Sequence, residues 1–157
     1  MKIRLAGIAY DSLVNGPGMR RVFFSQGCTH GCKECFNPDT HAFTGGIEFE
    51  INDIVNEVNK DPLLQGITFS GGDPFQQAEA FTELACRLAN YNIWAYTGYV
   101  FEELIDNPLL QHIDVVVDGA FDITKVSPTL LYRGSSNQRI IDVKASLKTK
   151  TIVEVKL

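Results

Sequence analysis

Apolar runs that stop abruptly at small polar clusters constrain this fold more than any other feature of the chain. Residues 21–25 run into Gly27-Cys28, and residues 67–69 into Ser70-Gly71-Gly72-Asp73-Pro74. Residues 93–96 stop at Thr97-Gly98, and residues 114–118 stop at Gly119. Between these runs the spacing turns helical: 50–59 places Ile51, Ile54, Val55 and Val58 on one face, and 76–90 does the same with Phe81, Leu84, Ala85 and Leu88. A short helix is predicted around 101–105, and further strands at 2–9, 139–143 and 151–155. Apolar strands alternating with helices predict an α/β fold with a mostly parallel sheet covered by helices. In such folds the carboxyl ends of the strands converge on one rim, where ligands bind. The clusters that end the runs are therefore expected to share one site.

Length sets the scale of that fold. A closed (β/α) barrel of eight units takes about 250 residues, and this chain has 157. It has strands enough for roughly three-quarters of such a barrel, so an incomplete TIM-like barrel in a single domain, 1–157, is expected. Hydrophobic residues at 45% and charged residues at 21% exclude a disordered chain. The net charge of −5 opposes a nucleic-acid partner, because neutralising phosphates needs a basic face. Asp11 interrupts the N-terminal apolar stretch before a signal-peptide core forms, and no run of about 18 apolar residues offers a membrane span. The expected location is the cytoplasm, with no membrane partner.

In a reducing compartment clustered cysteines read as metal ligands rather than cystines. Cys28, Cys32 and Cys35 form a C-x3-C-x2-C loop directly after a predicted strand. Three thiolates make a soft, anionic face that suits iron–sulfur or zinc. Structural zinc takes a fourth ligand, usually from a second knuckle, and none is present: His30 sits inside the loop, and His41 and His112 have no Cys or His at companion spacing. An electron-transfer [4Fe–4S] site likewise takes four cysteines. Three leave one iron open to a small molecule. Cys86 lies far along the chain, on the long predicted helix, where a buried small hydrophobe is the default and a ligand or redox role the alternative.

Taken together, the C-x3-C-x2-C loop and the later Ser70-Gly71-Gly72-Asp73-Pro74 turn resemble the radical S-adenosylmethionine superfamily. The blocks around them narrow the likeness to the activating components of anaerobic (class III) ribonucleoside-triphosphate reductases. They are Val14-Asn15-Gly16-Pro17-Gly18-Met19-Arg20, Cys35-Phe36-Asn37-Pro38-Asp39-Thr40, Trp94-Ala95-Tyr96-Thr97-Gly98-Tyr99, Val117-Asp118-Gly119-Ala120-Phe121 and Tyr132-Arg133-Gly134-Ser135-Ser136-Asn137-Gln138-Arg139.

The resemblance implies a partial barrel holding a [4Fe–4S] cluster on Cys28, Cys32 and Cys35, with S-adenosylmethionine on the open iron. One electron from a reductant such as flavodoxin would cleave the sulfonium, and the resulting 5′-deoxyadenosyl radical would take a hydrogen from a glycine of the large reductase subunit. It also implies cofactor contacts at Glu34, Cys35, Phe36, Ser70, Gly71, Gly72, Asp73, Thr97 and Asp118. Asp73 with Pro74 equally reads as a helix entry, and Asp118-Gly119 as a turn. Relatives often carry lysine at the position of Ala120, which shifts the expected cofactor-carboxylate contact to Arg133 or Lys125. Asn15–Gly18 and Arg133–Arg139 are expected at the cofactor rim or the partner-facing surface. The alternatives are an activase of another glycyl-radical enzyme, such as pyruvate formate-lyase, or a non-catalytic iron–sulfur or zinc module.

Overall fold

The computed structural model describes residues 1–28 and 45–156. Strands β1 (Lys2–Ser12) and β2 (Arg20–Ser25) come first. They are followed by β3 (Ile47–Glu50), α1 (Ile51–Asn59), β4 (Gly66–Gly71), α2 (Ala78–Arg87) and β5 (Asn92–Tyr96). Strand β6 (Val115–Asp118), strand β7 (Arg139–Asp142) and helix α3 (Val143–Thr149) complete the fold. The strands form one seven-stranded sheet in the order β3-β1-β2-β4-β5-β6-β7.

The sheet is mixed, not mostly parallel as the sequence suggests. The central pairs β2–β4, β4–β5 and β5–β6 are parallel, whereas β1–β2, β1–β3 and β6–β7 are antiparallel. No α-helix is interposed between β1 and β2 or between β6 and β7, where the connection holds only a 3-10 turn at Ile123–Lys125, and without a crossover helix neighbouring strands return antiparallel.

Period-2 alternation gives the sheet two unlike faces. On one face Phe23, Ile67, Phe69, Ile93, Ala95, Val116 and Ile141 join the buried stripes of α1 and α2. Phe69 sits edge-on to Phe81 at 4.8 Å between ring centres, a favourable aromatic geometry. Each large apolar side chain fully buried here contributes roughly 1.5–3 kcal/mol, so this layer anchors the fold. The helix-free face carries Arg20, Thr68, Trp94, Tyr96, Val115, Val117 and Ile140, with Tyr132 packed against them.

Two elements were not foreseen. Strand β3 is only four residues long and abuts α1, so it reads in sequence as the helix's leading edge. Residues 139–143 look like one strand, but the Asp142 carboxylate accepts the Ala145 N–H at 2.9 Å and starts α3 at Val143. The strand expected at 151–155 reduces to a single antiparallel bridge, Ile141 to Glu154. The expected long helix 76–90 divides into a 3-10 turn, Pro74–Gln77, and α2, while 101–105 holds only a 3-10 turn, Phe101–Glu103. Among the described residues no helix is long and apolar enough to cross a membrane.

Candidate functional site

Strand β2 delivers the first cysteine. After Ser25 the chain turns at Gly27, whose φ of 115° belongs to the glycine region, and leads to half-buried Cys28. Strand β4 ends beside it. The Gly72 N–H donates to the Ser25 carbonyl at 2.8 Å, and the Asp73 N–H donates to the Gly27 carbonyl at 2.9 Å. These two bonds continue the β2–β4 ladder past the strand ends and fix the Ser70–Pro74 turn against the chain that carries Cys28. Gly71 is glycine for a reason internal to the protein. Its φ is 92°, and a Cβ there would lie 2.5 Å from the Ser25 nitrogen and 2.7 Å from the Phe24 Cα.

The Asp73 carboxylate is fully buried. It accepts from the Phe75 N–H at 3.0 Å, from the Thr97 hydroxyl at 2.8 Å and from the Gly98 N–H at 3.0 Å. It therefore caps the Pro74–Gln77 turn and ties the end of β4 to the end of β5. Thr97, itself buried, also accepts from the Tyr99 N–H at 3.1 Å. Asp118 does the same work one strand further on. Its carboxylate accepts from the Phe101 N–H at 2.8 Å and meets the Arg139 guanidinium at 2.6 and 3.1 Å. The paired hydrogen bonds to Asp118, together with one to Glu102, hold Arg139 more firmly protonated than an ordinary arginine; the same contact holds the Glu102 carboxyl below its usual 4.5.

Ser70, Gly71, Gly72, Asp73, Thr97 and Asp118 thus converge, with Cys28, on the carboxyl ends of adjacent strands, as expected. Their side chains differ in what they offer. Asp73, Thr97 and Asp118 are engaged within the fold. Ser70 stands on the helix-free face, in register with Phe24 of β2, and its hydroxyl makes no hydrogen bond among the described residues. Cys32, Glu34, Cys35 and Phe36 lie outside the described residues.

Other expectations are relocated. Residues 15–18 do not form the rim; they pack at the amino-terminal half of the strands, where the Thr68 hydroxyl donates to the Asn15 carbonyl at 2.6 Å and Gly16 lies against Arg20 and Trp94. Arg20, 1% exposed, donates to Thr68 and to the Pro17, Ile67 and Asn92 carbonyls, all within 2.9 Å. Burial lowers its pKa to about 10, so it remains charged at neutral pH. Arg133 donates to the Ser136 and Gln138 carbonyls, and the exposed Lys125 faces Asp122 at 4.0 Å. The 133–139 block braces the strand ends at the rim, with Gln138 donating to the Gly119 carbonyl at 2.9 Å. Tyr96 closes the floor by donating to the Tyr132 carbonyl, and its burial raises its pKa.

Cys86 is exposed, not buried, and its sulfur lies 3.6 Å from Nδ1 of His112. Sequence spacing gave no sign of that pair, nor of Arg139 as the partner of Asp118. Both depend on tertiary proximity across more than 20 residues.

In donor chemistry the rim suits a thiophilic metal group: a cysteine at its edge, glycine backbone beside it, and carboxylates turned inward and already satisfied. A family model described as a 4Fe-4S single cluster domain matches residues 14–141. Proteins named anaerobic ribonucleoside-triphosphate reductase-activating protein are similar over most of the chain. The one from Haemophilus influenzae is 37% identical over 141 residues, covering 82% of this chain and 90% of its own. That of Enterobacteria phage T4 is 38% identical over 137 residues (81% and 86%), and that of Vibrio cholerae 39% over 140 residues (82% and 90%).

Proposed function

Because the chain belongs to the 4Fe-4S single cluster domain family and to the anaerobic ribonucleoside-triphosphate reductase-activating proteins, we propose that it activates such a reductase by radical S-adenosylmethionine chemistry. The observation that carries the reading is the backbone lock, Gly72 to Ser25 and Asp73 to Gly27, which sets the Ser70–Pro74 turn beside Cys28. A [4Fe–4S] cluster held by Cys28, Cys32 and Cys35 would supply one-electron reductive cleavage of the sulfonium C–S bond of S-adenosylmethionine, with methionine as the leaving group and a hydrogen taken from a glycine of the large reductase subunit.

The protein's own part is to hold and orient. Cys28, Cys32 and Cys35 are the thiolates for three irons. The Ser70 hydroxyl and the backbone of Gly71 and Gly72 would hold the methionine end of the cofactor, and Glu34, Cys35 and Phe36 its adenine. Asp73, Thr97 and Asp118 serve the site by fixing the β4, β5 and β6 ends, which keeps the rim rigid before cofactor arrives. In this reading residues 1–157 form one radical S-adenosylmethionine domain. Its sheet curls into an incomplete barrel with the helix-free face inward, leaving a side open for a partner's glycine loop. The electron donor is a low-potential carrier such as flavodoxin, and the setting is the anaerobic cytoplasm.

The test is anaerobic cluster reconstitution, reduction in the presence of S-adenosylmethionine, and measurement of 5′-deoxyadenosine. Cleavage is expected from the native protein and from Cys86→Ala, and none from Cys32→Ala. A fully loaded cluster that yields no 5′-deoxyadenosine refutes the chemistry. Mixing with candidate large subunits then reads the glycyl radical by electron paramagnetic resonance. A signal appearing only with pyruvate formate-lyase refutes the partner.

A further inference from the structure

We infer that Gln77 is a positioning residue: its side-chain amide stands in for the missing end of β2 and sets the Ser70–Asp73 turn relative to the strand that delivers Cys28. The inference rests on the cofactor reading above.

The ladder geometry shows the need. Strand β1 runs antiparallel to β2, with Leu5 opposite Ser25. The Gln26 N–H still reaches the Arg4 carbonyl at 3.2 Å, but Gly27 then turns the chain away. The Arg4 N–H thereby loses the strand carbonyl that an uninterrupted ladder would bring to it. Gln77, at the end of the Pro74–Gln77 turn, fills the position. Its Oε1 accepts the Arg4 N–H at 2.7 Å, and its Nε2 donates to the Arg4 carbonyl at 2.9 Å. The donor–acceptor pair copies what a peptide group in β2 would present. The same Nε2 also donates to the Ser25 hydroxyl at 3.1 Å.

The consequences converge on one place. Ser25 is the residue whose carbonyl holds the Gly72 N–H, so Gln77 grips both sides of the lock between β2 and the Ser70–Asp73 turn. Arg4 also anchors the chain at residue 45, its guanidinium donating to the Gly45 carbonyl at 3.0 Å. Gly46 follows with φ 75° and so little room that a Cβ would lie 2.5 Å from the Leu5 carbonyl oxygen. One amide therefore references the cofactor turn to the part of β1 from which residues 26–28 depart and to which residues 45–46 return. Position 77 is not one of the rim residues, and its effect passes through the backbone of Arg4 and the hydroxyl of Ser25.

The experiment compares the native protein with Gln77→Met, of similar length but without hydrogen bonding, and with Gln77→Glu, which keeps the acceptor for Arg4 and loses the donor. Each is reconstituted with iron and sulfide, reduced, and titrated with S-adenosylmethionine while the cluster's electron paramagnetic resonance signal is followed. The half-saturating concentration is expected to rise about tenfold in Gln77→Met and by less in Gln77→Glu, with iron content unchanged. The rate of 5′-deoxyadenosine formation at saturation should stay within about twofold of native, giving an effect on KM rather than kcat. In cofactor-free protein, hydrogen exchange at the Arg4 amide should quicken in Gln77→Met. Unchanged half-saturation in both variants overturns the inference, as does a loss confined to iron loading and thermal stability. Should Gln77→Met fail to fold, Gln77→Glu decides alone. Absence of any spectral response to S-adenosylmethionine in the native protein refutes instead the cofactor reading on which the inference rests.

Discussion

Gly71→Ala is the substitution that most directly tests how the site is built. Two costs add. A residue with a Cβ at φ 92° incurs roughly 1–2 kcal/mol of backbone strain. The new methyl group would also lie 2.5–2.7 Å from main-chain atoms of Phe24 and Ser25, which cannot rotate away as a side chain could. Relieving that overlap means parting β2 from β4 at their carboxyl ends, at about 1–3 kcal/mol by analogy with overpacked cores. The sum is about 2–5 kcal/mol, and in a chain of this size each kcal/mol lowers Tm by about 2–4 °C. Gly7→Ala is the matched control, since nothing lies within 4 Å of its Cβ position. With the freedom of the unfolded chain reduced, it should be neutral or stabilising by up to about 1 kcal/mol. Urea unfolding of the reduced, cluster-free proteins measures both. A Gly71→Ala protein within 1 kcal/mol of native, or a Gly7→Ala protein equally damaged, would refute the assignment of this glycine to the strand interface.

Asp118→Asn, nearly isosteric, should cost about 2–3 kcal/mol, below the usual range for breaking a buried ion pair because Arg139 keeps Glu102. Adding Arg139→Met should then cost less than Arg139→Met alone, a coupling read from a double-mutant cycle in urea. Glu102→Gln tests the outer half of that network. Because Arg139 depresses the Glu102 pKa in the folded state, its stabilisation is present above about pH 4.5 and lost as pH falls through the folded value. Native and variant should differ by less than 1 kcal/mol at pH 7, as exposed pairs do, and converge by pH 3 in an acid-unfolding series. Arg20→Met strips the donor from Thr68 and from the Pro17, Ile67 and Asn92 carbonyls at once and should cost about 3 kcal/mol. That loss should appear in thermal unfolding.

What the sequence determined by itself are the features whose cause is local. The helical stripe Ile51, Ile54, Val55 and Val58 is visible because four residues on one face must meet a core. The runs ending at Ser70, Thr97 and Asp118 are strands ending at one rim because glycine and capping residues stop a strand where they stand. The three clustered cysteines limit the chemistry in the same way, by spacing alone. Tertiary structure decided which partners each rim residue meets. The sequence leaves Asp73 between cofactor contact and helix entry, and Asp118 between cofactor contact and turn, with Thr97 a candidate contact; the fold brings backbone N–H groups and Arg139 to them. A buried carboxylate takes whichever donors lie nearest. The antiparallel β6–β7 edge, the Cys86–His112 pair and the clasp of Gln77 on Arg4 were likewise hidden, because each joins residues 21 to 73 positions apart. Periodicity reports which face of a segment is buried; only the completed sheet decides which segment lies across from it.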